Sequence, residues 1–113
     1  LGDVYKRQDP QLPMQCSERK IMLPEKYEEK DSLVVPSYFI DTNHHMNNTR
    51  YVQVAMEYVP KEFRTMEVRV EYKKAAMCKD VIVPHVTIED PRVTVALCAP
   101  DGQPYAVVVF LKA

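Results

Sequence analysis

The strongest constraint on the fold of this chain is a single change of period. One amphipathic helical stretch is followed, to the end of the chain, by segments that alternate every second residue. Tyr51, Val52, Ala55, Met56 and Val59 recur at three- and four-residue spacing, and Pro60 ends the pattern, which predicts a helix from about Asn48 to Tyr58. After Phe63 the period becomes two. Met66, Val68, Val70 and Tyr72 alternate with Glu67, Arg69, Glu71 and Lys73. Three more strands follow: Asp80–Glu89, with Ile82, Pro84, Val86 and Ile88 on one face; Val93–Leu97; and Tyr105–Leu111. Turns at Glu89-Asp90-Pro91 and Asp101-Gly102 join them. Upstream, Ser32–Ile40 reads as a strand in which Pro36 demands an edge position or a bulge. Short links favour antiparallel neighbours, so the four later strands are expected to form a meander. A half-wet sheet must cover its apolar face, and one helix is available. The expected fold is α+β: a curved antiparallel sheet wrapped around one central helix.

The chain has 113 residues, enough for one core, and 15 basic residues stand against 16 acidic ones. Scattered basic residues point away from nucleic acid and from anionic membrane surfaces, and no apolar run reaches spanning length. Cys16, Cys78 and Cys98 are odd in number and lack CxxC spacing. They read as free thiols of a reducing cytoplasm, not as a disulfide framework or zinc site. Residues 1–8 contain Asp-Val-Tyr-Lys-Arg-Gln, which resembles one translated frame of a transposon end used in sequencing libraries. They are expected to be non-native. Residues 9–31 are polar, interrupted by Pro10, Pro13 and Pro24, and read as a linker or surface arm; 32–113 is the expected folded domain.

Chemistry concentrates directly before the helix. Asp41-Thr42-Asn43-His44-His45-Met46-Asn47-Asn48 packs an acid, two histidines and three amides into one short run. Carboxylate, amide and imidazole together are the parts needed to orient and activate a water, and a helix start supplies N–H donors for developing negative charge. A loop rich in turn formers has the same composition, and Asn47 or Asn48 is a natural helix cap. A metal pair at His44 and His45 is disfavoured, because adjacent side chains rarely converge on one ion. His85 reads as an exposed strand residue, and Met56 and Met66 as core filling.

This run, continued through Tyr51-Val52, resembles the D-x-N-x-H-x-N-N-x-x-Y-[IV] segment of acyl-acyl-carrier-protein (acyl-ACP) thioesterases, a hotdog-fold family. Glu57-Tyr58-Val59-Pro60 and Val70-Glu71-Tyr72-Lys73-Lys74 are similar to the family's helix ending and following strand. The similarity covers roughly Arg19 to Lys112. It implies a hotdog domain that is the second of two in a longer chain, with the first supplying much of the acyl pocket, so that this part alone is expected to be inactive. It implies catalytic roles for Asp41, Asn43 and His45, with Asn47 and Asn48 at the helix cap and oxyanion region. It implies fatty acyl-ACP as substrate and no metal or cofactor, since a thioester is already activated towards water. His44 has no counterpart in the pattern. The partners implied are the carrier protein with its acyl thioester, and the N-terminal hotdog domain or a second hotdog subunit. A rim of Arg69, Lys73, Lys74 and Lys79 is a candidate surface for the acidic carrier, or simply a solvated strand face.

The chain departs from the pattern after the strand tyrosine. Where many members have a glutamate there is Ala75, and where plant members have a cysteine there is Ala76. Cys78, two residues on, is expected to share a face with Ala76 as a small buried hydrophobe. Lys79 replaces a glycine common in that turn. Two alternatives stay open: a single-hotdog acyl-CoA thioesterase working as a homodimer, and a non-catalytic hotdog module for dimerisation or acyl binding.

Overall fold

In the computed structural model, residues 15–18, 23–42 and 44–112 are described. Four strands build most of the sheet: β4 (Thr65–Tyr72), β5 (Val81–Glu89), β6 (Arg92–Cys98) and β7 (Pro104–Lys112). Three short strands precede them, β1 (Gln15–Glu18), β2 (Glu28–Glu29) and β3 (Leu33–Val34), and the helix α1 is Asn48–Met56. The sheet order is β1-β4-β7-β6-β5-β2, with β3 also on β5. All pairings are antiparallel except β1 on β4. Among the described residues no helix is long and apolar enough to cross a membrane.

Alternation sorts the side chains as the sequence leads one to expect. Val68 and Val70, Ile82 and Val86, Val93, Val95 and Leu97, and Ala106, Val108 and Phe110 form one core with Tyr51, Val52 and Ala55 of the helix. This is the hotdog arrangement, a curved sheet around one helix, and the helix packs on β6 and β7 at its centre. The opposite face of the same strands holds a smaller buried cluster of Ala96, Cys98 and Val107. The central strand β7 is therefore buried on both faces from Tyr105 to Phe110, which explains its unbroken apolar run.

Several expectations are corrected. The meander holds only for β5, β6 and β7; β4 pairs with β7, so the Lys73–Asp80 link crosses the end of the sheet. The strand expected over Ser32–Ile40 shortens to Leu33–Val34, because Pro36 stops the ladder and a 3-10 turn follows at Ser37–Phe39. The stretch read as a linker or surface arm contributes β1 and β2 to the two sheet edges, strands that its sequence did not mark. Met66 is 55% exposed: a bulge between Thr65 and Glu67 turns it out of the alternation. Ile88 lies beyond the ladder with β2 and is exposed, as is Met56, the last helical residue.

The arm also explains His85. Tyr27 stacks on its imidazole at 4.1 Å and Glu29 Oε1 lies 3.8 Å from Nε2. Cys98 Sγ lies 3.6 Å from Nδ1. The histidine is half-buried under the arm, contrary to its expected exposure, and burial pushes the Cys98 thiol up from its ordinary range. Cys78 and Cys98 are free thiols.

Candidate active site

The described residues of the Asp41–Asn48 run form a loop, closed at its base, that feeds directly into α1. Ile40 and Met46 form an antiparallel bridge at its base. Inside it the Asp41 amide donates to the His45 carbonyl at 2.9 Å, and the His45 amide reaches back to Asp41 Oδ1 at 3.4 Å. Among the described residues of the turn, His44 lies in the left-handed region with φ 66°. Histidine is among the residues that tolerate this conformation best. His44 is thus a turn residue, in line with its absence from the chemistry inferred above.

Burial changes abruptly at one point of the loop. His45 is exposed, whereas the next side chain, Met46, is only 2% exposed and sits in the core. Its amide donates to the Ala76 carbonyl at 2.8 Å. Asn47 is the N-cap: its side chain accepts from the Thr49 amide at 2.9 Å, and its own amide donates to Phe39. The Arg50 amide bonds the Asn47 carbonyl, so the remaining amide of the first turn is that of Asn48. Asp41 is half-buried beside this turn. Asn43, the third expected catalytic residue, lies outside the described residues.

The Lys73–Asp80 link forms the other side of the site. Ala76 is fully buried, and its amide donates to the Tyr51 hydroxyl at 2.8 Å. Burial raises the Tyr51 phenol above its ordinary range; the Ala76 N–H offsets part of this, and Tyr105, Asp80 and Asp41 add to it. Tyr72 packs edge-to-face on Tyr51 at 5.7 Å. Beyond Ala76 the chain turns sharply. Asp80 Oδ2 caps the Met77 amide at 2.8 Å, and Lys79 is left-handed with φ 72°. That is the position where the resemblance leads one to expect glycine. The turn leaves Ala75 and Cys78 exposed while Ala76 points inward. Cys78 does not share a face with Ala76, because the period-two pattern ends with β4.

Around the loop, Tyr38 is 72% exposed, and the Arg50 guanidinium lies 5.7 Å from its ring and 5.1 Å from that of Phe39. Arg50 also donates to Gln53 Oε1 at 3.0 Å, which commits Gln53 to the exposed side of the helix. The basic rim is partly neutralised: Arg69 pairs with Glu67 and Lys73 with Glu71, while Lys74 lies over the Tyr105 ring. Among the described residues no three His, Cys, Asp or Glu side chains come together as a metal site requires.

The curved sheet around the central helix, with this polar loop closed at the helix N-terminus, defines a hotdog domain. The chain belongs to the acyl-ACP thioesterase family: residues 23–96 match the model of the acyl-ACP thioesterase C-terminal domain. No curated protein sequence matches significantly. Among solved structures, an acyl-ACP thioesterase from Bacteroides thetaiotaomicron superposes with TM-score 0.65 at 16% identity, over 80% of this chain and 42% of that one. An oleoyl thioesterase, so designated, from Lactobacillus plantarum gives 0.63 at 21% identity, over 89% and 41%. The protein SAV2348 from Staphylococcus aureus, solved in complex with CoA, gives 0.65 at 20% identity, over 78% and 79%. At these identities the likeness establishes the fold. The chain spans about two fifths of the length of the first two structures.

Proposed function

We propose that this chain is the catalytic half of a thioesterase that hydrolyses fatty acyl-ACP to the free acid and the carrier thiol. One observation supports the reading above all. His45 is held in the open by a loop whose next residue, Met46, is locked into the core, at the start of a capped helix. A base must be accessible and its position defined; the loop leaves the His45 side chain accessible and fixes the backbone that carries it.

In this reading the His45 imidazole removes a proton from the attacking water, and its imidazolium returns one to the departing thiolate. The oxygen of the tetrahedral intermediate meets the Asn48 amide at the positive end of the helix. Asn43 orients the carbonyl or the water. Asp41 holds the His45 backbone through its carboxylate. The exposed Val34, Tyr38 and Met77 are apolar surface that a second hotdog domain would cover. That domain would also hold the acyl chain and keep bulk water out. Ala75 means that no glutamate from the Lys73–Asp80 link takes part.

A second reading is favoured by the CoA-bound structure, which this chain matches over most of both lengths. There the substrate would be acyl-CoA and the partner a second copy of the chain. Thiol release measured on acyl-ACP and on acyl-CoA of the same chain length separates the two. The primary reading predicts faster turnover of acyl-ACP, and only when a family N-terminal domain is present. Turnover of acyl-CoA by the chain alone as a dimer would replace it with the second reading. No release from either substrate with the N-terminal domain present would contradict both.

A further inference from the structure

We propose that Tyr51 is a positioning residue of the site, holding the His45 loop and the Lys73–Asp80 link in one rigid frame through its hydroxyl. The inference deepens the function proposed above and rests on that reading only for its effect on turnover. A tyrosine in the first turn of an amphipathic helix passes for an apolar core residue, and its ring is indeed buried, 2% exposed, against Tyr72. Packing alone does not account for where the oxygen goes. It accepts from the Ala76 amide at 2.8 Å, and the Ala76 carbonyl in turn accepts from Met46 at 2.8 Å. Met46 follows His45, whose carbonyl and amide both bond Asp41. The phenol therefore reaches the backbone of the proposed base through Ala76 and Met46.

The other described bonds of the link do not make this connection. Lys73 and Lys74 donate to Tyr105, Lys79 donates to Val35 and Asp80 accepts from Val35, while Met77 and Asp80 bond each other. All of these fix the link to the sheet or to itself. Ala76 alone turns its amide towards the helix and its carbonyl towards the loop. It is fully buried, so water cannot replace a lost partner. Removing the Tyr51 oxygen leaves the Ala76 amide without its acceptor; a rotation of the 75–76 peptide unit in search of another turns the backbone at the Ala76 Cα and disturbs the adjoining peptide unit, whose carbonyl accepts from Met46.

The test uses the full chain with Tyr51→Phe, which keeps the ring, and with 3,5-difluorotyrosine at position 51, which keeps the shape but weakens the oxygen as an acceptor. Amide hydrogen exchange of Met46 is expected to quicken about tenfold or more in Tyr51→Phe and by less in the fluorinated protein, while Val95 and Val108 stay unchanged. The His45 ring resonances are expected to move in the same order. If Tyr51→Phe does not fold, the fluorinated protein against the unmodified chain decides. Met46 exchange that tracks Val108, or that does not change, overturns the proposal. With the N-terminal domain present, kcat for thioester hydrolysis is expected to fall about tenfold or more with KM unchanged. Quickened Met46 exchange with an unchanged kcat reduces Tyr51 to a structural tie and also overturns the proposal. Hydrolysis that survives His45→Ala defeats the proposed function instead, and the exchange result then decides the Tyr51 frame alone.

Discussion

Lys79 offers a prediction whose size can be worked out from the backbone. It is a left-handed residue with a side chain, at φ 72°, in the turn that leads from the site into β5. For an L-residue that conformation costs about 1–2 kcal/mol, and glycine escapes this cost. Glycine also gives the unfolded chain more freedom, which offsets about 0.4–1 kcal/mol of the gain. Nothing else is lost: the side chain is exposed, and the amide that donates to Val35 at 2.9 Å remains. Lys79→Gly should therefore stabilise the domain by about 0.5–1 kcal/mol, raising Tm by about 2–8 °C for a chain of this size. Thermal unfolding followed by circular dichroism measures it, and the urea midpoint confirms it at unchanged m-value. Lys79→Ala is the control, because it removes the charge and keeps the strain, so its Tm should stay near that of the unmodified chain. A Lys79→Gly protein no more stable than Lys79→Ala would refute the reasoning.

Other expectations follow from the caps and the thiols. Asn47→Ala removes the acceptor of the Thr49 amide and should cost about 1 kcal/mol, read from the urea midpoint. Cys78 should react with a thiol reagent in the native protein, while Cys98 should be labelled only after unfolding; peptide mass spectrometry separates the two. Burial raises the folded-state pKa of Cys98 above 9.0 and of Tyr51 above 10.0. The folded chain thus keeps protons the unfolded chain gives up. The stability tied to them is fully present below those values and is lost as pH rises through the higher folded ones. The urea midpoint should fall from about pH 9 upward, and Cys98→Ala should flatten the first part of that fall. An unaltered slope would mean that the thiol ionises as freely in the fold as out of it.

Where order is local, the sequence is legible. Asn48–Met56 carries its own period, cap and terminating proline, and the four long strands carry theirs, so their bounds fall within two residues of expectation. The loop was legible as chemistry because Asp41, His45 and the asparagines are adjacent in the chain. Pairing across distance was not. Nothing in a two- or four-residue segment tells β1 that it lies on β4, or β2 that it covers His85. That β4 pairs with β7 and not with β5 is a choice between two partners of similar alternating pattern, which local sequence does not mark. Tyr51 shows the limit most clearly. Its spacing marks it as core, and only the fold reveals that its oxygen serves Ala76.

The central claim is that His45, and not its neighbour, performs the chemistry. Hydrolysis of acyl-ACP with the N-terminal domain present should be compared for His45→Ala and His44→Asn, the latter chosen because asparagine also accepts a left-handed backbone. A general base contributes about 10²–10⁴ in rate, so His45→Ala should lose at least a hundredfold in kcat/KM, whereas His44→Asn stays within about threefold. Equal losses in the two variants, or none in His45→Ala, would contradict the account.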